Sequence, residues 1–183
     1  MDEFKQLAEK KVSSEEIFDG VVLHVVKDAV TLPNGNPATR ELIRHVGAVA
    51  VVPLTEDGKV IVERQYRYPM DMVITEIPAG KLDSKTEDPL EAAKRELREE
   101  TGITADEWTN LGIYFPTPAY SDEQIHVYLA RGLHRGTQDL DEDEFLCVKE
   151  IPLEELVNEI MEGKICDGKT QFALLKTARL LGK

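Results

Sequence analysis

The chain has 183 residues, 42% of them hydrophobic and 31% charged, with a net charge of −13. That length suits one domain, or a domain with a short N-terminal extension, able to bury a core without disulfide or metal staples. So acidic a surface disfavours nucleic acid and anionic membranes, and an anionic substrate would need local Arg, Lys or metal ions. Cys147 and Cys166 are the only cysteines, and His24, His45, His126 and His134 show neither zinc nor triad spacing with them. Reduced, buried thiols are expected. No apolar run reaches the length of a membrane span and the first residues are no signal peptide, so a cytoplasmic protein is expected.

Asp2 to Lys11 reads as a short helix or a mobile start. Val21–Val26 reads as a strand, and Val30–Leu32 as another leading into the hairpin turn Pro33-Asn34-Gly35-Asn36, with Thr39 to His45 returning. Ala48–Leu54 is a continuous apolar run, hence a buried strand. After the turn Glu56–Lys59, Val60–Tyr66 is expected to pair back on it, and Val73–Ile77 forms a further strand. A helix follows, with Asp88 as N-cap, Pro89 at its first position, Glu91 at the third and Gly102 as its stop. Ala93 and Leu97 give it a narrow apolar stripe. Strands are expected at Leu111–Phe115, Gln124–Ala130 and Phe145–Glu150. Pro152 opens a helix carrying Leu153, Leu156, Val157, Ile160 and Met161, and a last helix runs from about Thr170 to Leu181. Many strands, one mid-chain helix and two at the end define an α+β, mixed α/β sandwich.

The first of these helices carries the chemistry. Glu96, Glu99 and Glu100 lie three and four residues apart, so they share a face and repel one another. A divalent cation would offset that repulsion, and hard carboxylate oxygens suit Mg²⁺ or Mn²⁺ rather than zinc. On charge alone a solvated helix face is the ordinary alternative, with Arg95 and Glu99 a common i,i+4 pair.

The wider stretch decides between them. Gly80, Glu87, Arg95-Glu96-Leu97, Glu99-Glu100 and Gly102-Ile103 together resemble the Nudix hydrolase box. Six residues separate Gly80 from Glu87 where the box has five, and the extra one lies within Ser84-Lys85-Thr86. Val12 to Gly20, Arg44 to Val49, Arg64 to Pro69, Glu76 to Leu82 and Pro118 to Glu123 resemble the ADP-ribose pyrophosphatase branch of the family. The resemblance implies an α/β/α sandwich at residues 46–183 and an N-terminal antiparallel β extension at 1–45 that dimerises with a second copy. It implies Mg²⁺-dependent cleavage of ADP-ribose to AMP and ribose 5-phosphate. Another nucleoside diphosphate sugar, such as GDP-mannose, or ADP-ribose binding without hydrolysis, are the competing activities. The intact set of glutamates argues against the non-hydrolytic one.

Under that resemblance the metal ligands are Glu96, Glu99, Glu100 and the Ala79 carbonyl. Arg95 orients the glutamates. The base that activates water comes from the acidic run Asp139 to Glu144, where Glu142 and Glu144 rank above Asp141 and Asp143. Arg40, Arg67 and Glu76 are the polar candidates for substrate, Arg being suited to bidentate phosphate contact, and Tyr66 or Tyr68 the candidate for stacking on adenine.

Overall fold

The structure is a computed structural model describing residues 3–140 and 145–183. It divides into two compact units, one holding the strands up to His45 together with Thr117–Glu123, the other holding Val46–Pro116 and Gln124–Lys183.

The first unit is an antiparallel sheet of β1 (Lys10–Asp19), β2 (His24–Thr31) and β3 (Pro37–Arg44), in that order. Every residue of β1 is exposed, so no alternation marks it, and only its pairing with β2 makes it a strand. The start expected as a helix or mobile segment is therefore a single 3-10 turn, Glu3–Gln6, followed by this strand. The two apolar runs read as separate strands are one. Val21 to Leu23 lie in the turn closed by Gly20 N–H donating to the Leu23 carbonyl at 2.9 Å, and β2 continues through Lys27 and Asp28. Asp28 can sit in mid-strand because its carboxylate, 5% exposed, accepts from the Ser14 hydroxyl and pairs with Lys11 and Arg44, each at 3.2 Å. The Ser14 hydrogen bond, opposed by burial and reinforced by Lys11 and Arg44, holds its carboxyl below the usual aspartate range. Arg44 also donates to Asp122 at 3.1 Å, which ties the Thr117–Glu123 loop to the end of β3.

The second unit contains two sheets and three helices. One sheet is mixed, in the order β7 (Ala79–Lys81), β4 (Ala48–Pro53), β9 (Ile125–Arg135), β8 (Ile103–Tyr114), with β4 and β9 parallel. The other is antiparallel, in the order β10 (Leu146–Pro152), β5 (Lys59–Arg67), β6 (Met72–Glu76). Helix α1 (Pro89–Thr101) packs Ala92, Ala93 and Leu97 against Val49 and Val51 of β4. On the opposite face Ala50 and Val52 meet α2 (Leu153–Met161) and α3 (Gly168–Leu180) through Leu156, Ala173 and Leu174. Helices on both faces of a mixed sheet make the α/β/α sandwich, and alternation along β4 divides its side chains between the two cores.

β5 does not pair back along β4. The Thr55–Lys59 turn forms, but only one bridge, Leu54 to Val60, follows before the strands part. Each is an interior strand of its own sheet and takes both neighbours elsewhere. β7, where no strand was expected, pairs Gly80 with Val49 along one edge of β4. β8 starts at Ile103 and not Leu111, with a bulge between Asn110 and Gly112 that breaks its pattern. Both cysteines are exposed, contrary to the burial expected of them.

Gly102 shows the tightest backbone constraint at the end of α1. It has φ 71°, and a Cβ there would lie 2.8 Å from the backbone of Gln138 and Thr137 and 2.9 Å from the Gly136 carbonyl oxygen. Gly102→Ala is expected to cost about 2 kcal/mol or more, lowering the melting temperature by several degrees. An unchanged melting temperature would contradict this close approach.

Candidate active site

Asp88 starts α1 by accepting from the Leu90 and Glu91 amides at 2.8 and 3.1 Å. Glu91 does not close a reciprocal box but pairs with Lys94 at 2.7 Å. Gly102 ends the helix with its N–H donating to the Arg98 carbonyl at 2.8 Å. Because Ala92, Ala93 and Leu97 are fully buried, the rotation of the helix is fixed, and Glu96 and Glu100 are turned toward β7.

Both glutamates lie on the β7 backbone. Glu100, 5% exposed, accepts from the Ala79 N–H at 2.9 Å. The Glu96 carboxylate occupies the place a side chain on residue 80 would take, since a Cβ on Gly80 would fall inside it. Glycine is thus required for carboxylate and strand to approach so closely.

Arg95 has four carboxylates within 4 Å: Glu96 at 2.7 Å, Glu99 at 3.1 Å, Glu87 at 3.4 Å and Asp83 at 3.7 Å. It also donates to the Lys81 carbonyl at 3.3 Å. Its Nε is buried without a hydrogen-bond partner. Burial would lower the guanidinium pKa, but Glu96 first, then Glu99 and Asp83, raise it above its ordinary value. The extra residue in the preceding loop is absorbed by a fold-back in which Glu87 accepts the Asp83 N–H at 2.6 Å, keeping Glu87 beside Arg95. Among the described residues no three carboxylates form a closed cation cage, and the Arg95 guanidinium sits among them.

A second polar group lies at the β5–β6 end. Arg67 Nε donates to Glu76 Oε2 at 2.7 Å, and Lys169 Nζ donates to Glu76 Oε1 at 2.5 Å. Glu76 is 4% exposed with both oxygens engaged. Burial would lower the Arg67 pKa, but Glu76, then Asp167 and Glu100, raise it, so Arg67 also feels the charge of α1. Lys169, on the first turn of α3, was not singled out by sequence.

Arg40 belongs to the N-terminal unit, where its guanidinium donates to the Thr39 carbonyl at 2.8 Å and pairs with Glu9. Tyr68 is 85% exposed on a 3-10 turn, Tyr68–Met70. Tyr66 donates its hydroxyl to Asp71 at 2.7 Å. Glu142 and Glu144 lie outside the described residues. The chain leading to them is clasped to the C-terminal carbonyls of α1. Gly136 N–H donates to Gly102 at 2.6 Å, Asp139 N–H to Glu99 at 3.0 Å, and the Gln138 side chain to Glu100.

The mid-chain helix of this α/β/α sandwich thus presses two carboxylates onto a glycine-bearing edge strand. A NUDIX domain is matched over residues 44–170. The chain is similar to an ADP-ribose pyrophosphatase of Bacillus subtilis (strain 168), at 42% identity over 93% of this chain and 92% of that protein. It is similar to a methanol dehydrogenase activator of Bacillus methanolicus, at 44% identity over the same shares of the two chains. A solved structure described as an ADP compounds hydrolase superposes with a TM-score of 0.85 at 24% identity, over 96% of both chains, and shows the same fold. The chain belongs to the Nudix family and is a Nudix hydrolase.

Proposed function

We propose that this chain is a Mg²⁺-dependent pyrophosphohydrolase that cleaves the diphosphate of ADP-ribose. Water attacks one phosphorus, the bridging P–O bond breaks, and AMP and ribose 5-phosphate leave. The observation that carries the reading is the placement of Glu96 and Glu100 on the backbone of Ala79 and Gly80 with Arg95 beside them. The similarity to a relative named as an ADP-ribose pyrophosphatase supports the substrate.

The donor set fits a hard divalent cation, with Glu96, Glu99, Glu100 and the Ala79 carbonyl as its ligands. Mg²⁺, or Mn²⁺ in its place, would neutralise the diphosphate and the charge that develops on it. Arg95 orients the glutamates and screens their mutual repulsion. Arg67 binds the diphosphate, and Glu76, whose oxygens are both taken, acts through Arg67. Arg40 is retained as a phosphate contact and Tyr68 as a surface for the adenine. Glu142 or Glu144 removes the proton from the attacking water.

The protein is further proposed to act in the cytoplasm as a homodimer built on residues 1–45. Among the described residues no helix is long and apolar enough to cross a membrane.

A panel of nucleoside diphosphate sugars with Mg²⁺ tests the substrate. The highest kcat/KM is expected for ADP-ribose, with AMP as product. A preference for GDP-mannose would replace the substrate, and no turnover of any diphosphate would overturn the enzymatic reading.

A further inference from the structure

Buried lysines are rare unless paired, and Lys169 is 9% exposed. Its backbone is fixed by the start of α3. Asp167 caps the helix by accepting from the Thr170 amide at 2.9 Å and its hydroxyl at 2.5 Å. The Thr170 hydroxyl oxygen in turn accepts from the Ile77 N–H at 3.0 Å, pinning α3 beside the residue after Glu76. From that anchor Lys169 Nζ reaches Glu76 at 2.5 Å and Asp167 at 3.1 Å. Glu76 passes the contact to Arg67 at 2.7 Å. Signs alternate along the series Asp167, Lys169, Glu76, Arg67, and Glu100 of α1 is the next charge that Arg67 feels.

β5–β6 pairing adds to the demand for positive charge at Glu76. Glu63 is the register partner of Glu76, and both are 4% exposed. Two carboxylates opposed across one strand pair repel, and burial magnifies the repulsion. To Glu76, Arg67, 41% exposed at its side chain, supplies one positive charge from the open side. Lys169 supplies the second from the closed side, where no solvent cation can substitute for it.

We infer that Lys169 is a positioning residue: through Glu76 it holds the Arg67 guanidinium in the orientation that receives the anionic diphosphate. Lys169 does not touch the substrate. With its Nε engaged by Glu76, Arg67 keeps its two terminal nitrogens for a bidentate contact. Without Lys169, Glu76 is a buried carboxylate with a single cation, which draws Arg67 inward.

The inference rests on the functional reading only for the choice of ligand, and its test separates the two. The dissociation constant of ADP-ribose is measured by calorimetry in chelator, so binding is read without turnover. Lys169→Gln is expected to weaken binding about tenfold to hundredfold, the scale of a lost charge-assisted hydrogen bond. Lys169→Arg restores most of it, and Glu76→Gln reproduces the loss without altering α3. In the double variant with Arg67→Gln the losses do not add, because both act through one guanidinium. Lys164→Met, an exposed lysine paired with Glu162, leaves binding unchanged. Parental affinity in Lys169→Gln and Glu76→Gln, or fully additive losses with Arg67→Gln, would overturn the inference. Should Lys169→Gln fail to fold, Glu76→Gln alone decides, with parental affinity again overturning it. Absence of turnover by the parent would sink the functional reading and leave this binding test standing.

Discussion

Glu100→Gln is expected to lower turnover of ADP-ribose by on the order of 10²–10³ while leaving the melting temperature close to the parent's. The two effects separate because of what Glu100 does structurally. It is buried and accepts the Ala79 N–H at 2.9 Å. A glutamine oxygen can accept the same hydrogen bond, so the seam between α1 and β7 survives. What is lost is a full negative charge in the cluster proposed to hold the cation, and added Mg²⁺ cannot restore it. The measurement is kcat at saturating Mg²⁺ together with a thermal melt. Near-parental kcat would remove Glu100 from the ligand set.

Gly80→Ala is expected to be nearly as damaging, by a different route. The new Cβ would fall inside the Glu96 carboxylate. β7 cannot retreat, because Gly80 is paired with Val49 of the fully buried β4. α1 cannot retreat either, because moving off the sheet would uncover Ala93 and Leu97, which are fully buried against β4. Glu96 must therefore swing out, taking with it the partner of Arg95 at 2.7 Å. Turnover should fall by about 10² or more, with only a modest loss of thermal stability, since a carboxylate at the sheet edge moves and no apolar core is opened. Parental activity with a normal response to Mg²⁺ would show that Glu96 is not needed where the structure places it.

The parts of this site that could be read from sequence were those encoded within a few residues. Asp88 and Gly102 mark the ends of α1 through hydrogen bonds no more than four residues away, and Pro89 through its fixed φ. The spacing of Glu96, Glu99 and Glu100 follows from helical periodicity alone. Lys169 escaped because 93 residues separate it from Glu76, and nothing local distinguishes it from a solvated lysine. β7 escaped because three residues carry no period, and it exists only as an edge on β4. The turn at Thr55–Lys59 was legible, but not the parting of its two strands into different sheets. That choice is made by which neighbours β4 and β5 find later in the chain. β1 lacked any signal because no face of it is buried.

The most direct test is phosphorus NMR of ADP-ribose incubated with the protein in Mg²⁺ and again in excess chelator. With Mg²⁺ the diphosphate resonances should disappear and two phosphomonoester resonances, those of AMP and ribose 5-phosphate, should replace them. With chelator the diphosphate should persist. Diphosphate signals unchanged in saturating Mg²⁺, or cleavage undiminished by the chelator, would contradict a carboxylate-held cation acting on ADP-ribose.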